Sequence, residues 1–124
     1  MQTENDNRRG YQLLVLILNK VECLKEIMDG LADKGITGAT ILDSRGIAHS
    51  MMESNAAYSF IGSLRSLLDP THKESKTVLM VINEPALPVI SEIVNRATGG
   101  LDKPDTGVMF CVPVSYSEGL GIDK

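Results

Sequence analysis

Few residues in this 124-residue chain carry obvious chemistry, and they are scattered. The string His49-Ser50-Met51-Met52-Glu53 sets an imidazole beside two thioethers. His49, Met51 and Met52 would suit a soft ion such as Cu(I). The competing account has the Met pair packed beneath a loop and His49 partly exposed. Arg65 falls on the apolar face of a helical pattern. Its guanidinium can take a phosphate or an acidic neighbour, or its stem can pack with a salt bridge at the tip. Gly46 and Gly107 can admit a ligand close to the backbone, or only supply turns with positive φ. Cys23 and Cys111 belong to no CxxC and no zinc spacing. They read as buried free thiols in a reducing compartment.

Catalysis finds no support in these types and spacings. There is no nucleophile elbow, no His–carboxylate motif and no metal triad, so a non-enzyme is expected. The net charge of -4 argues against a nucleic-acid partner, which would require a basic patch. The first ten residues are polar, with no cleavage site. The apolar run Leu13 to Leu18 is too short for a signal core or a membrane span. A cytoplasmic protein without membrane insertion is the expectation. Aromatic residues make up only 4% of the chain and there is no Trp. The core must therefore be aliphatic, with six Met available to fill gaps.

The elements that hold these residues follow from periodicity. Residues 1–10 read as a disordered lead. Tyr11 to Leu18 is a run of strand length, apolar enough to be buried on both faces. Asn19 with Glu22 offers a capping box. The next helix carries Val21, Leu24, Ile27, Met28 and Leu31 on one face. Gly30 inside it marks a close approach to the sheet, or nothing. Gly35 suits the left-handed residue past a helix end, and residues 36–43 form the second strand. A loop over 44–56, an extra helix from Ala56 to Leu68 and a polar linker from Thr71 to Lys76 come next. Val78 to Ile82 is another doubly apolar strand. Asn83 caps a helix striped by Leu87, Ile90, Ile93, Val94 and Ala97, with Pro85 in its first turn. That helix ends near Thr98-Gly99-Gly100. The last strand, Val108 to Val114, contains Pro113 and so belongs at a sheet edge.

Strand, helix, strand, strand, helix, strand is the ferredoxin-like βαββαβ order. The expected class is α+β, with a four-stranded antiparallel sheet and an extra helix between strands 2 and 3. The domain spans 11–114, with a tail over 115–124. Two helices cover only one face of such a sheet. The other face would be an oily patch larger than a soluble monomer tolerates. Either the extra helix folds under it or other copies of the chain do, and a closed homo-oligomer is favoured. Two other users of this fold are disfavoured. An acylphosphatase-type enzyme needs an Arg-rich loop where this chain has Asn19-Lys20-Val21-Glu22. An RNA binder needs aromatics on the middle strands, which here carry Leu, Val, Ile and Met.

The segment Gly35-Ile36-Thr37-Gly38-Ala39-Thr40, inside the strand–helix–strand from Leu13 to Gly46, resembles the first half of the nitrogen-regulatory PII signalling proteins. Val78 to Ile82, the helix to Ala97, Thr98-Gly99 and Gly107-Val108-Met109-Phe110 match the second half. The likeness covers residues 11–114. It implies a homotrimer that binds ATP or ADP in clefts between subunits and regulates a protein partner; AMP is a further candidate ligand. Adenine would be read at Thr37 and by backbone near Val81. Two loops, Gly46-Ile47-Ala48 and Asp105-Thr106-Gly107, would approach the ligand.

The chain departs from the family in three places. Val108 stands where the phosphate loop ends in lysine, and that loop is longer, with Asp102, Lys103 and Pro104. No arginine follows the last strand: the chain reads Ser115-Tyr116-Ser117-Glu118-Gly119-Leu120. The long signalling loop with its modifiable tyrosine is replaced by residues 49–76. A triphosphate needs cations or an N–H nest, and Arg45, Arg65, Lys76 and Lys103 remain as candidates. The alternatives are a structural or interaction trimer without nucleotide, with the extra helix as docking surface, and the soft-metal protein built on His49.

Overall fold

The first apolar run forms β1 (Tyr11–Leu18), and its side chains divide between two very different environments. Leu14, Leu16 and Leu18 are at most 1% exposed, while Leu13, Val15 and Ile17 on the opposite face are only half-buried. The computed structural model describes residues 10–46 and 74–120. Over these, the remaining elements are α1 (Leu24–Asp33), β2 (Thr40–Ser44), β3 (Ser75–Asn83), α2 (Leu87–Thr98) and β4 (Gly107–Pro113). The sheet has four strands in the order β2-β3-β1-β4, with every neighbouring pair antiparallel. This is the expected α+β ferredoxin-like arrangement, and Pro113 does lie in an edge strand. The extra helix expected over 56–68 lies outside the described residues.

Both helices lie on one face of the sheet. Ile27 and Leu31 of α1, and Ile90, Ile93 and Val94 of α2, join Leu14, Leu16, Leu18, Val78, Met80 and Ile82 in a single aliphatic core. Cys23 and Cys111 border it as free thiols. Burial pushes the Cys111 thiol pKa up, which disfavours its reactive thiolate.

The approach marked by Gly30 is to the other helix, not to the sheet. A Cβ built there would stand 2.8 Å from Cγ2 of Ile93. Ile93 is β-branched and stiff at χ1 in a helix, so it yields poorly. Gly30→Ala is therefore expected to destabilise the fold by about 1–2 kcal/mol: helix propensity returns roughly 1 and the overpacking takes more. In an Ile93→Ala background the same substitution should stabilise by about 1 kcal/mol. Urea denaturation of the four chains measures the coupling.

Several boundaries differ from expectation. Neither Asn19 nor Asn83 makes a side-chain cap. Each helix is entered through a 3-10 turn, Val21–Cys23 and Glu84–Ala86. Long-range bonds fix the first entry, since the Thr106 carbonyl accepts from the Asn19 and Lys20 N–H groups at 2.9 and 3.2 Å. Residues 36–39 are not strand. The N–H groups of Gly35 and Ile36 bond back to the Ala32 and Leu31 carbonyls, both at 2.9 Å. This is a Schellman closure with Gly35 at φ 74°, and Gly38 at φ 88° turns the chain again before β2. Ser75 and Lys76 belong to β3 rather than to a linker, held by a Ser44–Ser75 hydroxyl bond of 2.8 Å and by Lys76 donating to Asp43. That hydrogen bond, and then the Lys76 charge, lower the Asp43 pKa.

The uncovered face of the sheet carries Leu13, Val15 and Ile17 of β1 and, in register with them, Val81, Leu79, Val112, Phe110 and Val108. Val108, Phe110, Val112 and Leu42 are 52%, 47%, 42% and 47% exposed. Among the described residues, no helix lies against this face.

Candidate functional site

The Schellman closure and the Gly38 turn together lay residues 36–39 against the start of β2. There Thr40 pairs with Leu79, and Leu13 pairs with Val81 one strand further in. A cleft of about 250 Å³ opens at this corner of the uncovered face. Its walls are Thr37, Gly38, Thr40, Leu13, Leu79, Met80 and Val81, with Leu120 of the tail closing one side. Thr37 and Val81, assigned to adenine recognition by resemblance, are therefore brought together. The wall is aliphatic, with two threonines and backbone polar groups available. That is a setting for a flat, partly apolar group held at its edge by a few hydrogen bonds.

The other described candidates lie elsewhere in the chain. Arg45 and its neighbour Gly46 follow the far end of β2. There a shallow recess is lined by Asp43, Ser44, Arg45 and Glu74. The extended strand separates Thr40 from Ser44 by roughly 13 Å. Asp105, Thr106 and Gly107 sit at the opposite edge of the sheet, where Gly107 pairs with Leu18. Ile47, Ala48 and Arg65 lie outside the described residues, as do His49, Met51 and Met52. Within one chain the described candidate residues thus form a cleft, a recess and a loop, not one pocket.

The loop before β4 has structural tasks of its own. Thr106 is 1% exposed, its hydroxyl donates to the Pro104 carbonyl at 3.4 Å, and its carbonyl anchors the start of α1's 3-10 turn. Asp105 is left-handed at φ 58°. Gly107 has no room for a side chain, because a Cβ would stand 2.6 Å from the Ile17 carbonyl oxygen. Lys20, which sequence reasoning did not single out, donates to the Thr98 carbonyl at 2.9 Å. It thereby caps the C-terminal end of α2, where a cation is favoured by the helix dipole. Only its position four residues before α1 hinted at the role, and its partner is 78 residues away.

Comparison with known proteins bears on the fold. No protein-family model and no curated protein sequence matches the chain. Among solved structures, it is similar to Arabidopsis thaliana PII bound to citrate, with 14% identity, 86% of this chain and 78% of that chain covered, and a TM-score of 0.59. A DUF3240 family protein from Shewanella baltica is similar at 12% identity, with 90% and 97% covered and a TM-score of 0.59. A functionally unknown protein from Pediococcus pentosaceus matches at 16% identity, with 90% and 99% covered and a TM-score of 0.57. No helix among the described residues is long and apolar enough to cross a membrane. The chain has a divergent PII-like fold, which it shares with these proteins across nearly its whole length.

Proposed function

We propose that this protein is a non-enzymatic, cytoplasmic PII-like regulator. It assembles as a homotrimer and senses a small ligand, an adenine nucleotide such as ATP, ADP or AMP, in clefts completed between subunits. Binding changes the surface offered to a regulated protein partner, in nitrogen or related metabolism. The observation that carries the reading is the cleft that unites Thr37 with Val81 at the corner of an uncovered apolar face. Two features support its completion by a neighbour. The cleft opens on the face that needs covering, and the remaining described candidates, Arg45, Gly46 and Asp105 to Gly107, lie at the far end of β2 and at the opposite sheet edge of the same chain.

Equilibrium dialysis against ATP, ADP and AMP tests the reading. Thr37 is exposed, so Thr37→Val should leave stability unchanged. It should weaken the bound nucleotide by about three- to tenfold, the worth of one hydrogen bond. Failure of all three nucleotides to bind would remove the sensing role. A structural trimer without nucleotide is the second reading. It is favoured by the makeup of the cleft wall, in which none of the described residues is Lys or Arg.

A further inference from the structure

We infer that Lys20 is the positioning residue of the loop between α2 and β4, clasping it at both ends and so fixing where Asp105, Thr106 and Gly107 stand. What the loop meets rests on the sensing reading; the clasp does not. Asp105, at φ 58°, is the one non-glycine with positive φ among the described residues. A left-handed L residue costs free energy and persists only where its surroundings over-determine it. Lys20 supplies much of that hold. Its N–H donates to the Thr106 carbonyl at 3.2 Å, beside the 2.9 Å bond from Asn19. Its ammonium crosses the base of the loop and donates to the Thr98 carbonyl at 2.9 Å. Thr98 ends α2, and Thr106 stands just before β4. One residue of the β1–α1 connection therefore ties both ends of a loop that lies 78 residues or more further along the chain.

The two ties differ in kind. The bond to Thr106 is made by backbone and survives substitution of the side chain. The bond to Thr98 is charge-assisted, takes a carbonyl left over at a helix end, and is lost with the ammonium. The loop's first residues hang on the same helix end. The Gly100 N–H donates to the Thr98 hydroxyl at 3.2 Å, and the Leu101 N–H donates to Asn95 Oδ1 at 2.8 Å. The Lys103 N–H then turns back to the Gly100 carbonyl at 3.1 Å. Lys20 is no part of the aliphatic core. Removing its charge therefore frees the loop against the sheet and leaves the packing beneath in place. A ligand that needs the loop in one position binds with an affinity reduced by the fraction of chains that keep it there.

The test compares the full chain with Lys20→Met and Lys20→Arg. Met keeps an apolar stem without the charge, and Arg keeps the charge and the donors. Backbone order parameters are read by NMR without ligand at Gly100, Leu101, Asp102 and Asp105, with the amides of β1 and β3 as reference. The clasp requires the loop to fall from about 0.85 toward about 0.6 in Lys20→Met while the sheet stays at the parent value. Lys20→Arg should return the loop toward the parent. A lower melting point with unchanged order parameters reports a cap on α2 and nothing more, and overturns the positioning role. Dialysis against ATP, ADP and AMP is the second arm. Lys20→Met should bind about three- to tenfold more weakly, as the competent fraction falls. Weaker binding with the loop still ordered makes Lys20 a direct contact, and equal binding with the loop loosened detaches the loop from the ligand; either overturns the role. If no chain binds any nucleotide, the sensing reading falls, and the order parameters alone decide the clasp.

Discussion

Gly107→Ala is expected to destabilise the fold by about 3 kcal/mol, lowering the thermal midpoint by roughly 10 °C. Two separate costs add. The backbone at φ 154° lies at the rim of the region that L side chains rarely adopt. The new methyl group would also stand 2.6 Å from the Ile17 carbonyl oxygen and 3.3 Å from the Leu18 Cα. Those atoms belong to β1, the central strand between β3 and β4, so they cannot swing aside as a side-chain tip can. Relief requires β4 to move away from β1, which breaks ladder bonds near the Gly107–Leu18 pair. It also shifts the Thr106 carbonyl that anchors the entry to α1. The measurement separates two uses of this glycine. If its smallness served only to admit a ligand, Gly107→Ala would melt with the parent and differ only in binding. A drop of the expected size assigns the residue to the sheet, whatever else the loop does. Gly46 is the control, since no atom of the described residues lies within 4 Å of a Cβ built there. Gly46→Ala should leave the midpoint where it is.

Most of the fold could be read in the sequence, because its strongest signals are local. Leu13 to Leu18 is an unbroken apolar run of strand length, and a helical stripe runs through Ile90, Ile93 and Val94. Either pattern dictates its element without reference to the rest of the chain. What could not be read depends on partners far away in the chain. Asn19 has the type and spacing of a cap, yet the first turn of α1 is set by the Thr106 carbonyl. Gly30 was visible as an oddity, but its reason, Ile93, lies on the other helix. The second strand starts at Thr40 and not at residue 36, although Thr37 favours strands. The Schellman closure at Gly35 and the left-handed Gly38 override that preference. The site shows the same division. Thr37 and Val81 meet because one loop and one strand register place them together. The role of Leu120 in the cleft wall had no signal in a tail without periodicity.

Phe110→Glu is expected to reduce the particle from a multiple of 13.4 kDa to a single chain, with the far-ultraviolet circular dichroism of the parent. Phe110 is 47% exposed, pairs with Val15, and stands between Val108 and Val112 on the uncovered face. Aliphatic side chains from β1, β3 and β4 surround it there. When copies meet across this face, each new carboxylate is buried without a partner, at a cost of several kcal/mol. Three kcal/mol already weakens association by more than a hundredfold at each contact. In the isolated chain the same carboxylate points into water and harms little, so dissociation without unfolding is the signature. Lys25→Glu is the matched control: its side chain is 88% exposed on α1, across the core from the face in question. It should leave the mass unchanged. If the face were covered by residues of the same chain instead, the parent would already sediment as one chain. Phe110→Glu would then lower its melting point rather than its mass. Sedimentation and melting together therefore distinguish an assembly built on the sheet from a sheet wrapped by its own polypeptide, and with it whether the Thr37 cleft faces a neighbouring copy.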